Sequence, residues 1–340
     1  MRISKAISLG AAVGLLLLGP TARANDSTAE LAAGGLVLKT SASIQMKSED
    51  LFISTEEVRV AYRFVNTSSR DVTTMVAFPM PDLEINGVDD MIAIPTEDPQ
   101  NILGFTVTVD GKPVATRVEQ KAFSKGVDRS AYLTALGIPL AAQTKAADDA
   151  IDALPQAKKD ELVRMGLAAI DEFDAGKGWE KHWRASWTVR TTFYWAQTFP
   201  AGKEIAVLHR YKPSVGASAG SMMGSVYSKG TPELAQYKRR YCMDQSLLSR
   251  IDQMARAAGN DGSPFWEQRI GYVLKTGGNW AGPIGDFHLT IDKGAAANLI
   301  SLCVNGIVKT GPTRFEVRKS NFTPDRDLDI LILLPIPAAE

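Results

Sequence analysis

Glu57-Val58-Arg59-Val60-Ala61-Tyr62-Arg63-Phe64 decides the fold class. Val58, Val60, Tyr62 and Phe64 alternate with Glu57, Arg59, Ala61 and Arg63, a period of two that marks a strand with one face buried. Asn66-Thr67-Ser68-Ser69 turns the chain, and Val72, Thr74, Val76 and Phe78 alternate again before Pro79-Met80-Pro81 ends the run. Further on, Phe105, Val107 and Val109 lead into Asp110-Gly111, and Val114 to Val118 follow. Asp-Gly between two β-rich runs signals a hairpin, because both central residues of a type I′ turn need positive φ.

Residues 126 to 180 change character. Ala146 to Leu154 reads as a helix, and Pro155 suits the start of a second. Leu162, Met165, Ala169, Ile170 and Phe173 share one face of that second helix, with Gly176 and Gly178 after its end. Strands resume at Trp187, with Val189, Phe193 and Trp195 on one parity through Phe199, then Ile205, Val207, His209 and Tyr211. Gly216 to Gly224 is a small-residue linker. Thr231-Pro232 offers an N-cap with proline at the first helical position, and Asp244 caps a helix that buries Leu247, Leu248, Ile251 and Met254 and ends near Gly259. Strands return at Ile270 to Lys275, Phe287 to Ile291, Leu299 to Val304, Phe315 to Arg318 and Leu328 to Leu334.

These elements predict a mainly β protein with helical insertions, built as two sandwich-like, immunoglobulin-like β domains plus helices. The expected division is a signal peptide over 1–24, then an N-terminal β-sandwich over 25–220 with a helical insertion at about 126–185. A helical connector over 221–262 and a C-terminal β domain over 263–340 complete it.

The leader sets the address. Arg2 and Lys5 precede the small and apolar run Ile7 to Leu18, Pro20 breaks it, and Ala22-Arg23-Ala24 supplies the small residues read by a signal peptidase. Asn25 is the expected mature N-terminus, and the expected location is periplasmic or secreted. The run is shorter than the roughly 20 residues a spanning helix needs. No later apolar stretch reaches that length, so no integral membrane segment is expected after signal removal.

The 340-residue chain carries 38 basic and 38 acidic side chains. Losing Arg2, Lys5 and Arg23 and no acid leaves a net charge of about −3, which gives no steering field for nucleic acid. In an oxidising compartment Cys242 and Cys303, the two cysteines of the chain, read as a disulfide rather than a metal site or nucleophile.

Two stretches resemble known families. Asn25-Asp26-Ser27-Thr28-Ala29-Glu30-Leu31-Ala32-Ala33-Gly34-Gly35-Leu36, the run Met46 to Leu51 and Asn279-Trp280-Ala281-Gly282-Pro283-Ile284-Gly285-Asp286-Phe287 are similar to an exported bacterial family known only as domain of unknown function 4424. The resemblance spans the mature chain. It implies export and brings no catalytic residues with it. More loosely, residues 55 to 215 resemble the vault/inter-α-trypsin (VIT) type of β-sandwich. Tyr62-Arg63-Phe64-Val65-Asn66 and Phe78-Pro79-Met80-Pro81 carry this likeness, with methionine at position 80 where that family has leucine. It implies a non-catalytic domain used in assembly or binding.

Motifs for chemistry are sparse. His182, His209 and His288 are not at metal-ligand spacing, H-E-x-x-H is absent, and no metal or other cofactor is expected. His209 shares its parity with Ile205 and Val207, which reads as a satisfied interior or edge histidine. Gly220-Ser221-Met222-Met223-Gly224 lacks the central serine of a nucleophile elbow. The adjacent acids Asp89-Asp90, Asp148-Asp149 and Asp171-Glu172 point apart rather than together, so none makes an acid/base pair. No catalytic residue is assigned.

Aromatics remain. Trp179, Trp183, Trp187 and Trp195 suit core and edge packing. Trp280 differs, lying in a glycine- and proline-rich loop of the kind that carries binding function on a β scaffold. Trp280, Asn279 and Asp286 are therefore the candidate ligand-binding residues. The resulting expectation is a periplasmic binding or interaction module for an unidentified protein or cell-envelope ligand. The alternative is a cell-envelope hydrolase acting on glycan or peptide, with an acid-lined cleft near Trp280.

Overall fold

Alternating side chains build two large facing sheets. The computed structural model describes residues 25–32, 35–86, 92–96, 98–174, 176, 178–218, 220–259 and 261–337. Residues 1–24, the expected signal peptide, and Asp89-Asp90 lie outside the described residues.

The strand Val58–Asn66 buries Val58, Val60, Tyr62 and Phe64 and exposes Arg59, Ala61 and Arg63, as its alternation requires. It sits inside an eight-stranded sheet. The order there is Val308–Lys309, Arg314–Phe322, Ile284–Asp292, Ile44–Ile53, Val58–Asn66, Glu204–Tyr211, Thr106–Val109 and Lys112–Val114. The last two strands form the expected hairpin, with Asp110 at φ 48° and Gly111 at φ 76° between paired Val109 and Lys112. The second large sheet has seven strands, centred on Thr188–Phe199 between Arg117–Ser124 and Val72–Pro79. Its far side carries Ser27–Ala32, a strand the alternation did not announce. Phe64 against Phe199 (ring centroids 6.0 Å) and Trp195 against His209 (5.5 Å) join the inner faces of the two sheets. This is sandwich packing, with side chains of both sheets sharing one core.

The expected division into separate N- and C-terminal β domains is crossed by the sheets. Ile284–Asp292 lies parallel to Ile44–Ile53, with Leu289 opposite Leu51. Phe287, Leu289 and Ile291 are buried, so this C-terminal strand extends the N-terminal core. A third sheet orders Leu299–Leu302, Leu328–Pro335, Phe265–Tyr272, Val215–Ser218 and Ile92–Ala93, again mixing both halves. One hydrophobic cluster consequently runs from Ile44 to Ile332. Strand edges left open by one half are closed by the other, which removes unpaired backbone from solvent.

The helical insertion is shorter than its spacing implied. The helix Gln156–Met165 ends at Gly166, which takes the left-handed conformation at φ 69°. Ala169, Ile170 and Phe173 do not continue it. They belong to the strand Ala168–Asp174, which pairs with Trp179–Ala185 in a hairpin of its own. Arg184 binds Asp171 (3.1 Å) on that hairpin and Asp148 (3.2 Å) on the helix Lys145–Asp152, drawing the chain back as a strand.

The connector follows its punctuation. Thr231 accepts from the Leu234 amide ahead of the helix Pro232–Arg240, and Asp244 accepts from the Leu247 amide ahead of Gln245–Ala258, which ends at Gly259. Leu234, Tyr241 and Ile251 pack on Phe265, Leu299, Leu331 and Leu333, docking both helices on the third sheet. The Cys242–Cys303 disulfide pins them there, with Cα atoms 5.0 Å apart. Among the described residues no helix is long and apolar enough to cross a membrane.

Candidate functional site

The segment around Trp280 is a clasp, not an exposed loop. A short 3₁₀ turn, Lys275–Asn279, leads into it. Trp280 is 2% exposed, and its ring lies 4.5 Å from that of Phe64. Its indole Nε1 donates to the Asp26 carbonyl oxygen at 2.6 Å. Asn279 donates through Nδ2 to Ser27 Oγ at 2.9 Å, and Thr276 Oγ1 donates to the Asn25 carbonyl at 2.6 Å. The indole's large apolar area and single donor are both satisfied inside. Asp286 is exposed on Ile284–Asp292, opposite Ser48 and Ser320, and so stands apart from Trp280. On the same strand His288 is bracketed by Asp50 (3.1 Å) and Glu316 (3.4 Å). Those groups form a ladder on the sheet surface and line neither cavity described below.

Behind the clasp lies a polar cluster sealed in the core. Asn25, Asp26, Glu49 and His209 are each at most 1% exposed. Glu49 accepts from Asn25 Nδ2 at 3.0 Å and from the Tyr272 hydroxyl at 3.4 Å, while Tyr62 donates to Asn25 Oδ1. Burial pushes the Glu49 carboxyl up to about 8 and raises Asp26 well above the usual carboxylate range, helped in the second case by the neighbouring Glu49 charge. Burial lowers His209 to about 3. His209 Nε2 is 3.6 Å from Asp26 Oδ2, too far for a hydrogen bond, and neither His209 nitrogen nor either Asp26 oxygen has a hydrogen-bond partner among the described residues. Tyr62, Phe78, Phe105 and Trp195 surround the imidazole instead, with centroids at 4.8 to 5.5 Å. The two carboxylates and one histidine nearest the Trp280 clasp thus converge where solvent has no access. Among the described residues no group of three or more His, Cys, Asp or Glu side chains is placed to hold a metal ion.

A cleft opens on the other side of this cluster. It has a volume of about 730 Å³ and lies where the strand ends near Pro81 meet the third sheet and the helix Pro232–Arg240. Phe193, Tyr211, Tyr237, Tyr241 and Tyr272 line it with aromatic surface. Tyr211 and Tyr272 divide the cleft from the sealed cluster. Arg240 and Arg269 supply cationic groups to the lining. Arg240 binds Asp329 through Nη2 at 2.7 Å, and Arg269 pairs with the buried Glu267, which also accepts from the Tyr237 hydroxyl at 2.7 Å. The desolvated Tyr237 phenol beside Glu267 is held far above its ordinary range. Each cation is therefore fixed in direction by a carboxylate, both arginines are more than a third exposed, and Asp82, Glu84, Asp327 and Asp329 add acidic groups to the lining. A second cavity of about 620 Å³ lies beside the disulfide, lined by Asp244, Phe287, Phe322 and Arg326 among others. The residues of the first cleft come from seven separated stretches of chain, and no local motif marks them.

Fold and bridge define a β-rich protein stapled by one disulfide, Cys242–Cys303. The chain belongs to the family described as "Domain of unknown function (DUF4424)", whose sequence model matches residues 24–331. Among solved structures it is similar to a Legionella pneumophila protein described as a "putative nutrient binding protein". That match has 16% identity and a TM-score of 0.43, and covers 92% of this chain and 70% of the other. No curated protein matches the chain.

Proposed function

We propose that this protein is an exported binding module that takes a small polar ligand in the cleft between the third sheet and the helix Pro232–Arg240. The observation that carries the reading is the cleft itself. Its 730 Å³ falls in the range of small-molecule sites, its lining is mainly polar with five aromatic side chains among it, and Arg240 and Arg269 are held in fixed directions at its edge. A small ligand bearing both positive and negative groups suits a lining that sets those two cations among Asp82, Glu84, Asp327 and Asp329. The export half of the reading rests on the leader and on a disulfide of the kind that persists in oxidising compartments. Trp280 and Asn279 enter as supports that hold the N-terminal strand, and Asp286 has no part in the cleft.

Thermal melting in the presence of amino acids, short peptides, organic acids and sugars tests this. One class raises the melting temperature of the native protein. Ala217→Trp, which places an indole in the cleft from the strand Val215–Ser218, abolishes that rise while leaving the unliganded melting temperature close to native. A rise that survives Ala217→Trp, or no rise with any class, overturns the reading.

A further inference from the structure

Residue 25 is held more tightly than an incidental terminal residue requires. Its side chain donates to Glu49 Oε2 (3.0 Å) and accepts from the Tyr62 hydroxyl and from the Asp26 amide (2.9 Å), and its carbonyl accepts from Thr276. Gly277 closes over it, since a Cβ at that position would stand 2.7 Å from Asn25 Nδ2. The cradle is acidic. Asp26 and Glu49 are fully buried, and no lysine or arginine among the described residues pairs with either. His209, the one basic group beside them, is kept neutral by its aromatic cage. Both Asp26 oxygens lack a hydrogen-bond donor, a condition rare for buried groups and costly where it persists. A cation beside Asp26 is the simplest account of a buried carboxyl without a donor and a second buried acid close by.

We propose that hydrolysis of the Ala24–Asn25 peptide bond frees an α-amine that becomes the buried counter-cation of Asp26 and Glu49, so that removal of the leader completes this core. A signal peptidase adds water across the bond. Hydroxyl goes to the Ala24 carbonyl, which leaves as a carboxylate, and hydrogen goes to the Asn25 nitrogen, which takes up a proton from solvent to become an ammonium. Covalent geometry keeps that nitrogen within about 5 Å of the Asn25 side-chain amide that donates to Glu49, with Asp26 the next residue. The three protons of the ammonium are donors for oxygens that otherwise have none. The family match begins at residue 24, at this junction. The polar cradle is then a recognition site for the chain's own new terminus, and folding proceeds to its final state after cleavage.

The test is amine reactivity in the protein purified from its native host. Mass spectrometry identifies the terminus, and acylation of the α-amine at pH 7 is timed in the folded and the urea-unfolded protein. The terminus is Asn25, and its amine reacts at least about tenfold more slowly when folded, the factor that a one-unit rise in pKa alone produces. Glu49→Gln, which keeps the shape and removes the charge, speeds labelling of the folded form several-fold. A terminus elsewhere, equal labelling rates in the two states, or a folded Glu49→Gln protein that labels at the native rate overturns the proposal. None of these results bears on ligand stabilisation at the cleft, which stands or falls on Ala217→Trp.

Discussion

Trp280 donates through its indole nitrogen to the main-chain carbonyl of Asp26 at 2.6 Å, a hydrogen bond that spans 254 positions of sequence. It joins the first described strand to the turn that opens Ile284–Asp292. Around it, the Ser41 amide donates to the Asn279 carbonyl (2.8 Å) and the Ala281 amide to the Ile44 carbonyl (2.9 Å). The start of the described chain is therefore folded into the centre of the molecule by a C-terminal clasp.

Trp280→Ala removes a buried ring and strands a buried carbonyl, so it costs about 3–5 kcal/mol. Trp280→Phe keeps most of the packing and loses the donor, at a cost of about 1–3 kcal/mol. Urea unfolding of the two variants measures both. A loss under about 1 kcal/mol for Trp280→Ala contradicts the clasp.

Gly285 faces the bulge between Met46 and Ser48, where a Cβ would sit 2.5 Å from the Lys47 carbonyl oxygen. The obstacle is backbone and cannot swing aside. Gly285→Ala therefore destabilises by about 1–3 kcal/mol through overpacking, whereas Gly220→Ala, with open space around its Cβ, stays within about 0.5 kcal/mol of native. Equal melting temperatures for the two variants contradict the parallel pairing of Ile284–Asp292 with Ile44–Ile53.

The pH dependence follows from His209. Its folded pKa is lowered to about 3 by burial, against about 6.5 in an unfolded chain, so below pH 6.5 the unfolded state binds the extra proton. The stability linked to His209 is full above about pH 6.5 and is lost as pH falls toward 3, with a slope of up to about 1.4 kcal/mol per unit. His209→Phe flattens that limb in a melting series from pH 7 to pH 3. In a chain whose Asn25 amine is blocked, Glu49 adds the opposite limb. Its folded pKa is raised to about 8, so its contribution is full below about pH 4.5 and is lost as pH rises toward 8. An acid limb identical in His209→Phe and native protein removes His209 from the account.

Cys242 and Cys303 close a loop of 61 positions, which the chain-entropy account values at about 4 kcal/mol. Reduction, or the double change to serine, lowers the unfolding midpoint and first loosens the helices Pro232–Arg240 and Gln245–Ala258. Amide hydrogen exchange locates the effect. Uniform loss of protection across the large sheets, with none concentrated in the helices, contradicts their docking through this bridge.

Local signals in the sequence were faithful where the physics is local. The alternation of Val58 to Phe64, the Asp110-Gly111 turn, the Thr231 and Asp244 caps and the Gly259 stop all reappear as read. The helix expected through Phe173 failed because a short apolar cluster fits either period, and Gly166 with the Arg184 ion pairs settles it as strand. The parallel pairing of Leu289 with Leu51, which carries a C-terminal strand into the N-terminal sheet, leaves no trace in either segment alone. Trp280 was singled out rightly as unusual, but composition cannot say which way a ring points. Arg240, Arg269 and Tyr237 were invisible as a set because only the tertiary fold brings their strands and helix to one cleft.

Binding at that cleft is read most directly by amide chemical-shift mapping of the deuterated, isotope-labelled protein, titrated with the compound class that raises its melting temperature. The account predicts perturbations concentrated at residues 215–218, 237–241 and 269–273, and their absence in Ala217→Trp. Perturbations gathered instead around Asp286 and His288 on the outer sheet face, or none at saturating ligand, contradict it.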